Sequence, residues 1–225
     1  MRNAFAPSIT NNRLASGFTP RATNCASKSS ITDSSVDNQG AWGYVREAGF
    51  KSVDNLVDNL VDRVSKNGYL LLNVGPKPDG TIPDEAKERL LGLGKWLDTN
   101  GEAIYGTTPW FIAGEGPTQL EKNGPFNENN ELRYTAQDIR FTAKDNILYA
   151  TALDWPGEKI LIKSLVAKGR TWTGLYPSEI ASISMLGDGN ELKWEMTKEG
   201  LIVETPRVKP CDYAFAFKIV RKAPF

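Results

Sequence analysis

Apolar side chains recur at helical spacing in the stretch that follows Ser52. They fall on one face of a 3.6-residue period, which is typical of an amphipathic helix. The residues of this stripe are Val53, Leu56, Val57, Leu60, Val61 and Val64. Ser52 is a suitable N-cap, and Asn67-Gly68 is a suitable stop. The pattern predicts a helix between these two signals.

The next segments predict a strand and a second helix. Residues 69–75, "YLLLNVG", form a nearly continuous apolar run, which is typical of a parallel strand covered on both faces. After the turn-rich "PKPDGTIP", Pro83 suits the first turn of a helix that ends at Asn100-Gly101. Its predicted inward residues are Leu90, Leu93, Trp96 and Leu97. Helix, strand and helix with short connections indicate part of an α/β layer.

Beyond residue 107 the apolar period becomes two. Short alternating runs such as "DIRFTAKD", "ILYATALDW", "LIVETP" and "YAFAFKIV" are separated by turn signals such as "WPGE" and "GDGN". Such runs favour an antiparallel β-sandwich. We therefore predict an irregular segment at 1–41, rich in Asn, Ser, Thr and Ala, an α/β part at 42–107 and a β-sandwich at 108–225. Any elements in 1–41 would be short and tied down by the rest.

Charge and composition exclude several classes of protein. Lys+Arg and Asp+Glu both number 27 in the 225 residues, so no basic excess indicates nucleic acid or a membrane surface. The sequence holds no 18-residue apolar run and no apolar signal core near its start, so we expect a soluble chain of unknown localisation.

The chain contains no histidine. This excludes histidine-based triads and the common zinc sites, and leaves hydrolytic chemistry to groups such as carboxylates. Cys25 and Cys211 lie far apart without metal-ligand spacing, so we expect free or buried thiols rather than a disulfide. No metal and no organic cofactor are expected.

One long motif resembles a known family. Residues 64–110, "VSKNGYLLLNVGPKPDGTIPDEAKERLLGLGKWLDTNGEAIYGTTPW", are similar to the glycoside hydrolase family 29 α-L-fucosidases, as are the upstream "AWGYV" and the C-terminal strands. The resemblance covers about residues 37–220. It implies an α/β remnant of a (β/α)8-like barrel followed by an antiparallel β-sandwich. A full barrel takes about 250 residues, so most of the barrel is missing here.

The resemblance also implies hydrolysis of terminal α-L-fucosides from glycans by a pair of carboxylates. In the family the nucleophile is an aspartate upstream of the "WGY" element, and no segment here matches its surroundings. The family also grips the sugar with histidines. Its acid/base glutamate precedes the "WGY" tryptophan, and counting back from Trp42 leads to Thr32 or Asp33.

Asp33 and Asp37 are therefore the candidate catalytic carboxylates, although Asp beside Ser or Asn-Gln-Gly is also typical of turns and caps. Trp42 and Tyr44 are candidates for stacking on a sugar, with core packing as the alternative. Asn73, at the end of a predicted strand, is a candidate for substrate binding or for fixing a loop. Asp79 before Gly80 indicates a turn.

These observations leave several functions open. The chain is either an α-L-fucosidase-like hydrolase or a non-catalytic fucose-binding or structural fragment of a longer fucosidase. The expected partner is a fucosylated glycan or fucoside, and neither nucleic acid nor a membrane. A barrel remnant exposes strand edges and apolar surface that the missing part of the barrel would cover. We therefore expect a homo-oligomer that covers this uncovered side of the barrel, or residues 1–41 folded over it.

Overall fold

The computed structural model describes residues 29–39, 42–118, 133–167 and 173–223. Its first part is a β-α-β unit followed by a helix. The elements are β1 (Ser30–Ser35), α1 (Val53–Ser65), β2 (Gly68–Asn73) and α2 (Asp84–Asn100), with a short 3-10 turn after α2. The predicted helix–strand–helix is thus present, and β1 adds a strand ahead of it.

The first helix begins and ends at the predicted signals. Ser52 Oγ accepts a hydrogen bond from the Asn55 backbone N–H, as an N-cap does. Leu56, Val57 and Val61 of the stripe are buried. Asn67 adopts a positive φ of 63° just after the helix, a conformation that Asn tolerates better than most residues.

The strands β1 and β2 pair in parallel, with Asp33 opposite Leu71. The helix α1 connects them and packs against β2. On the other face Ile31, Tyr69 and Leu71 are 72%, 62% and 59% exposed. We call these three side chains the open face. The predicted coverage of β2 on both faces therefore differs from what the described residues show, because α1 shields one side only.

The helix α2 packs closely against α1. A Cβ built on Gly92 would lie 2.7 Å from a Val53 methyl carbon. Leu93 and Trp96 are buried, and Trp96 Nε1 donates to the Ala214 carbonyl oxygen at 2.8 Å. Leu90, expected to point inward, is 36% exposed, because the apolar contact of α2 centres on Leu93 and Trp96.

The remaining strands form two antiparallel sheets, as predicted. The five-stranded sheet has the order β3-β4-β5-β10-β7 and the three-stranded sheet has the order β6-β9-β8. Their bounds are β3 Thr108–Glu115, β4 Ile139–Lys144, β5 Ile147–Ala152, β6 Lys159–Ile162, β7 Ile180–Met185, β8 Trp194–Met196, β9 Leu201–Glu204 and β10 Phe215–Arg221. One apolar core, which includes Phe141, Phe215 and Phe217, joins the two sheets.

A buried ion pair joins the β-α-β unit to the sandwich. Arg140 Nε, on β4, donates to Asp62 Oδ1 of α1 at 2.6 Å, and both side chains are nearly inaccessible to solvent. The helix α1 also packs against β3. Within the described ranges, no helix is long and apolar enough to cross a membrane.

Candidate functional site

The carboxyl ends of β1 and β2 bring together several predicted residues. Because the two strands are parallel, their ends meet at one edge of the sheet, where ligands of such sheets usually bind. Asn73, the last residue of β2, lies opposite Ser35, the last residue of β1. Its Nδ2 donates to Ser35 Oγ and to the Trp42 carbonyl oxygen, both at 3.3 Å. Asn73 therefore fixes the loop that carries Trp42.

Asp37 continues this polar chain. It is 6% exposed and forms an antiparallel bridge with Phe50. Its carboxylate accepts hydrogen bonds from the Ser35 hydroxyl and from the Gln39 backbone N–H. The hydroxyl of Ser35 thus accepts from Asn73 and donates to Asp37. These contacts are those of a turn residue, and Asp37 also lies beside the loop of Trp42.

Lys51 is a buried cation at this edge that the sequence analysis did not single out. It is 5% exposed, and its Nζ donates to Ser34 Oγ and to the Ser35 carbonyl oxygen, both at 2.9 Å. A buried ammonium group is tolerated only when such bonds replace its water. A lysine directly before a helix N-cap gives no sequence signal of burial, so only the fold reveals it.

Asp33 has different surroundings from Asp37. It lies within β1, is exposed, and shares its face with Ile31 by strand alternation. The strand β1 ends at Ser35, and Asp37 lies beyond it with a buried side chain, so the two carboxylates do not share one environment. Retaining glycosidases hold their two carboxyl groups about 5 Å apart. The catalytic roles of Asp33 and Asp37 stay predictions.

Trp42 and Tyr44 are both accessible at this edge. Trp42 is 58% exposed, and Tyr44 borders a cleft of about 10 Å³ together with Asp37 and Phe50. Such a volume holds about one water molecule. Gly75, after β2, allows this loop to approach, because a Cβ there would lie 2.7 Å from the Gly43 carbonyl carbon. The exposure of Trp42 leaves its indole ring available for stacking.

Asp79 is the turn residue that its sequence indicates. Its Oδ1 accepts hydrogen bonds from the Thr81 backbone N–H at 2.9 Å and from the Thr81 hydroxyl at 2.7 Å. These bonds lower the pKa of Asp79. Gly80 follows with a φ of 83°, a conformation that favours glycine. Asp79 thus shapes the loop between β2 and α2.

Metal-binding arrangements were not expected from the sequence. In the described part of the chain, no group of three or more His, Cys, Asp or Glu residues is arranged to hold a metal ion. Cys211 is a free thiol whose pKa is raised by burial. Cys25 lies outside the described residues.

Comparison with known proteins decides the family. Residues 21–102 match the family model for Alpha-L-fucosidase, and residues 130–220 match the model for Alpha-L-fucosidase C-terminal domain. The chain belongs to the α-L-fucosidase family. The boundary between the two fucosidase models falls where the fold changes from the β-α-β unit and α2 to the sandwich, so the family architecture and the observed fold agree.

Individual fucosidases support the same assignment. The tissue α-L-fucosidase of Bos taurus is 35% identical over 194 residues, which are 82% of this chain and 35% of the bovine protein. The crystal structure of the Thermotoga maritima α-fucosidase in complex with fucose superposes with a TM-score of 0.68 at 31% identity. That match covers 88% of this chain and 40% of the Thermotoga chain.

A further solved fucosidase is isoenzyme 1 from Paenibacillus thiaminolyticus. It is 26% identical, has a TM-score of 0.62, and matches 85% of this chain and 39% of its own. These relatives confirm the resemblance, and with it the partial barrel followed by a sandwich. This member of the fucosidase family thus spans little more than a third of the length of the relatives it matches.

Proposed function

We propose that this chain acts in the hydrolysis of terminal α-L-fucosides, and that it contributes the edge of the sugar site formed by Trp42 and Asn73. The observation that carries this proposal is the exposed indole ring of Trp42, whose backbone carbonyl oxygen is bonded by Asn73. A fixed backbone under an exposed ring provides a preformed platform for the apolar face of a pyranose. Membership of the fucosidase family supports fucose as the sugar.

In this proposal Asp33 and Asp37 have separate roles. Asp33 is exposed on the face of β1 that α1 does not cover, so it can approach a glycosidic oxygen as the proton donor. Asp37 is buried under the Trp42 loop and adds negative charge near the sugar. Because Asp33 is exposed on β1 whereas Asp37 is buried in a turn, the second reacting carboxylate comes from elsewhere in this proposal.

A second copy of this chain is the proposed source of that carboxylate. The open face exposes three large apolar side chains on adjacent parallel strands, and exposed apolar surface of this kind marks interfaces. Packing of two open faces would bury Ile31, Tyr69 and Leu71 and bring the Asp33 residues of the two copies towards each other. This homo-oligomer supplies both the cover and the second carboxylate.

The test is release of 4-nitrophenol from its α-L-fucoside by the intact chain. Loss of a general acid lowers kcat by about 100-fold or more, so Asp33→Asn should show that loss. Trp42→Ala should mainly raise KM, since stacking contributes to binding. Asp98→Asn, on the exposed surface of α2, is the matched control. Activity equal in the unmodified chain and in Asp33→Asn would refute the role of Asp33.

Fucose binding without hydrolysis is the second candidate function. The burial of Asp37 in a turn favours it, because only Asp33 of the two candidate carboxylates is then exposed to a sugar. Titration calorimetry with L-fucose separates the two functions. Heat of binding that Trp42→Ala abolishes, in a chain that releases no 4-nitrophenol, would establish binding alone.

A further inference from the structure

Acidic side chains crowd the surface where α1 lies on the sandwich. Asp54, Asp58 and Asp62 occupy successive turns of α1, Asp138 directly precedes β4, and Asp154 follows β5. We call this region, together with Arg140 of β4, the acidic seam. All of its members except Asp58 have partners or solvent. Asp54 and Asp154 are exposed.

Two of the buried acids are satisfied by strong donors. Asp62 accepts from Arg140 Nε at 2.6 Å and from Lys66 Nζ at 2.7 Å. Asp138 accepts from the backbone N–H and hydroxyl of Thr135, at 2.8 and 2.9 Å, and from those of Thr118, at 3.0 and 2.8 Å. The guanidinium group of Arg140 is therefore committed to Asp62. It also donates from Nη1 to the Ile139 and Glu115 carbonyl oxygens.

Asp58 differs from Asp62 and Asp138, because no strong hydrogen-bond donor compensates its burial. It is 2% exposed, and its Oδ1 is buried without a hydrogen-bond partner. Burial and the negative charge of Asp54 raise the pKa of Asp58 to about 8, with Asp154 and Asp138 adding to the shift and Arg140 opposing it. The side chain of Asp54 is partly exposed, and its partial burial together with the charge of Asp154 raises the pKa of Asp54. An ionised, unpaired carboxylate at this depth is unfavourable, whereas a protonated one is tolerated.

We propose that Asp58 is a proton-dependent latch between α1 and the sandwich. When its carboxyl group is protonated, α1 packs firmly on β3 and β4. When the group ionises, Asp54 and Asp154 repel it and the buried charge lacks hydration. Both effects weaken the packing of α1 on the sandwich. Since α1 connects β1 to β2, the latch acts on the two strands that carry the candidate site, whatever reaction that site supports.

The direction of the pH dependence follows from the number of bound protons. An unfolded chain releases the Asp58 proton near the ordinary value of 3.8, while the folded chain retains it to about 8. Between these values the folded state binds more protons, so a rise in pH destabilises it. The contribution of Asp58 to stability is fully present below 3.8 and is lost as pH rises through about 8.

The experiment compares the intact chain with Asp58→Asn by thermal unfolding and by hydrogen–deuterium exchange of Val53–Ser65, at about pH 5 and about pH 9. Asparagine has the shape of aspartic acid and cannot ionise. The Tm of the variant minus the Tm of the unmodified chain should therefore be several degrees larger at alkaline pH than at acid pH. At alkaline pH the amides of α1 should also exchange more slowly in the variant than in the unmodified chain. A Tm difference that is constant with pH would overturn the proposal.

A second variant keeps the test informative if Asp58→Asn folds poorly. Asp154→Asn changes an exposed residue and removes one of the repelling charges. Like Asp58→Asn, it should reduce the loss of hydrogen-exchange protection that the α1 amides undergo at alkaline pH. Asp98→Asn, on α2, should leave that loss unchanged. Equal alkaline loss in all three chains would contradict the latch.

Addition of calcium distinguishes a proton from a metal cation. The latch predicts that calcium leaves the Tm of the unmodified chain unchanged at alkaline pH. If calcium raises that Tm and Asp58→Asn abolishes the rise, the acidic seam is a cation site and the proton latch is wrong.

Discussion

At the scale of single residues, Lys51 shows how a charge stabilises the end of a strand. Its ammonium group bonds the Ser34 hydroxyl and the Ser35 carbonyl oxygen below the candidate site. The same residue donates its backbone N–H to the Val36 carbonyl oxygen. Lys51 thus joins the residue before the N-cap of α1 to the carboxyl end of β1.

Replacement of Lys51 by methionine should therefore destabilise the chain. The apolar side chain cannot donate the two hydrogen bonds that Lys51 Nζ makes, and the loss of buried hydrogen bonds from a charged donor costs about 1–3 kcal/mol each. Urea denaturation measures the loss. Lys87→Met is the control, because Lys87 forms an exposed ion pair with Asp84, and such pairs contribute at most about 1 kcal/mol. Equal effects of the two variants would contradict a structural role for Lys51.

Replacement of two glycines by alanine should change the free energy of unfolding in opposite directions. Gly75→Ala places a Cβ 2.7 Å from the Gly43 carbonyl carbon, and backbone cannot move aside cheaply, so a loss of about 1–3 kcal/mol is expected. Gly94, within α2, has nothing within 4 Å of a Cβ, so Gly94→Ala should gain up to about 1 kcal/mol from helix propensity. Thermal unfolding checks both signs, and a stabilising Gly75→Ala would disprove the close approach of the two loops.

At the scale of elements, the sequence predicts those whose signals are local. The stripe of α1, its Ser52 cap and the Asn100-Gly101 stop of α2 all match the structure. The strand β1 was not predicted, because "SITDSS" is polar and becomes a strand only by pairing with β2. The strand β3 was missed because its register shifts between Pro109 and Gly114, which breaks the alternation.

The polar contacts of the site escape sequence reasoning for a related reason. Asn73 and Trp42 were singled out from motif position, but their bond joins residues 31 apart. The burial of Lys51 and Asp58 depends on which elements pack on them, and no spacing rule encodes that. The sequence could identify members of the site, whereas the residues that bond them could be identified only from the fold.

The ion pair between Asp62 and Arg140 should couple α1 to the sandwich strongly. Arg140→Met removes one partner of a buried pair and should cost about 3–5 kcal/mol, while combining it with Asp62→Leu should cost less than the sum of the two single changes. Urea denaturation of the single and double variants gives the coupling energy. The control is Lys95→Met, which breaks an exposed pair with Asp212 at 3.9 Å. If the effects of Arg140→Met and Asp62→Leu on the free energy of unfolding are additive, direct coupling is excluded.

At the scale of the whole molecule, the open face is the surface through which the proposed homo-oligomer would form. Leu71→Glu puts a charge among the exposed apolar side chains of β2 and should shift this proposed assembly towards monomer. Sedimentation velocity over a range of concentrations measures this shift. Leu91→Glu is the control, because Leu91 is 74% exposed on α2, an element outside the β1-β2 sheet that carries the open face. A monomer at every concentration in the unmodified chain would refute the proposed assembly.

The position of β10 in the sheet has a consequence for synthesis on the ribosome. Phe215–Arg221 is the last strand described, yet it lies between β5 and β7 and is hydrogen-bonded to both. The residue just before it, Ala214, accepts the bond from the Trp96 indole. The sandwich therefore cannot close, and α2 cannot anchor, until these residues leave the exit tunnel. During translation, β3 to β9 must wait with an incomplete sheet, which is the interval in which a chaperone would be most needed.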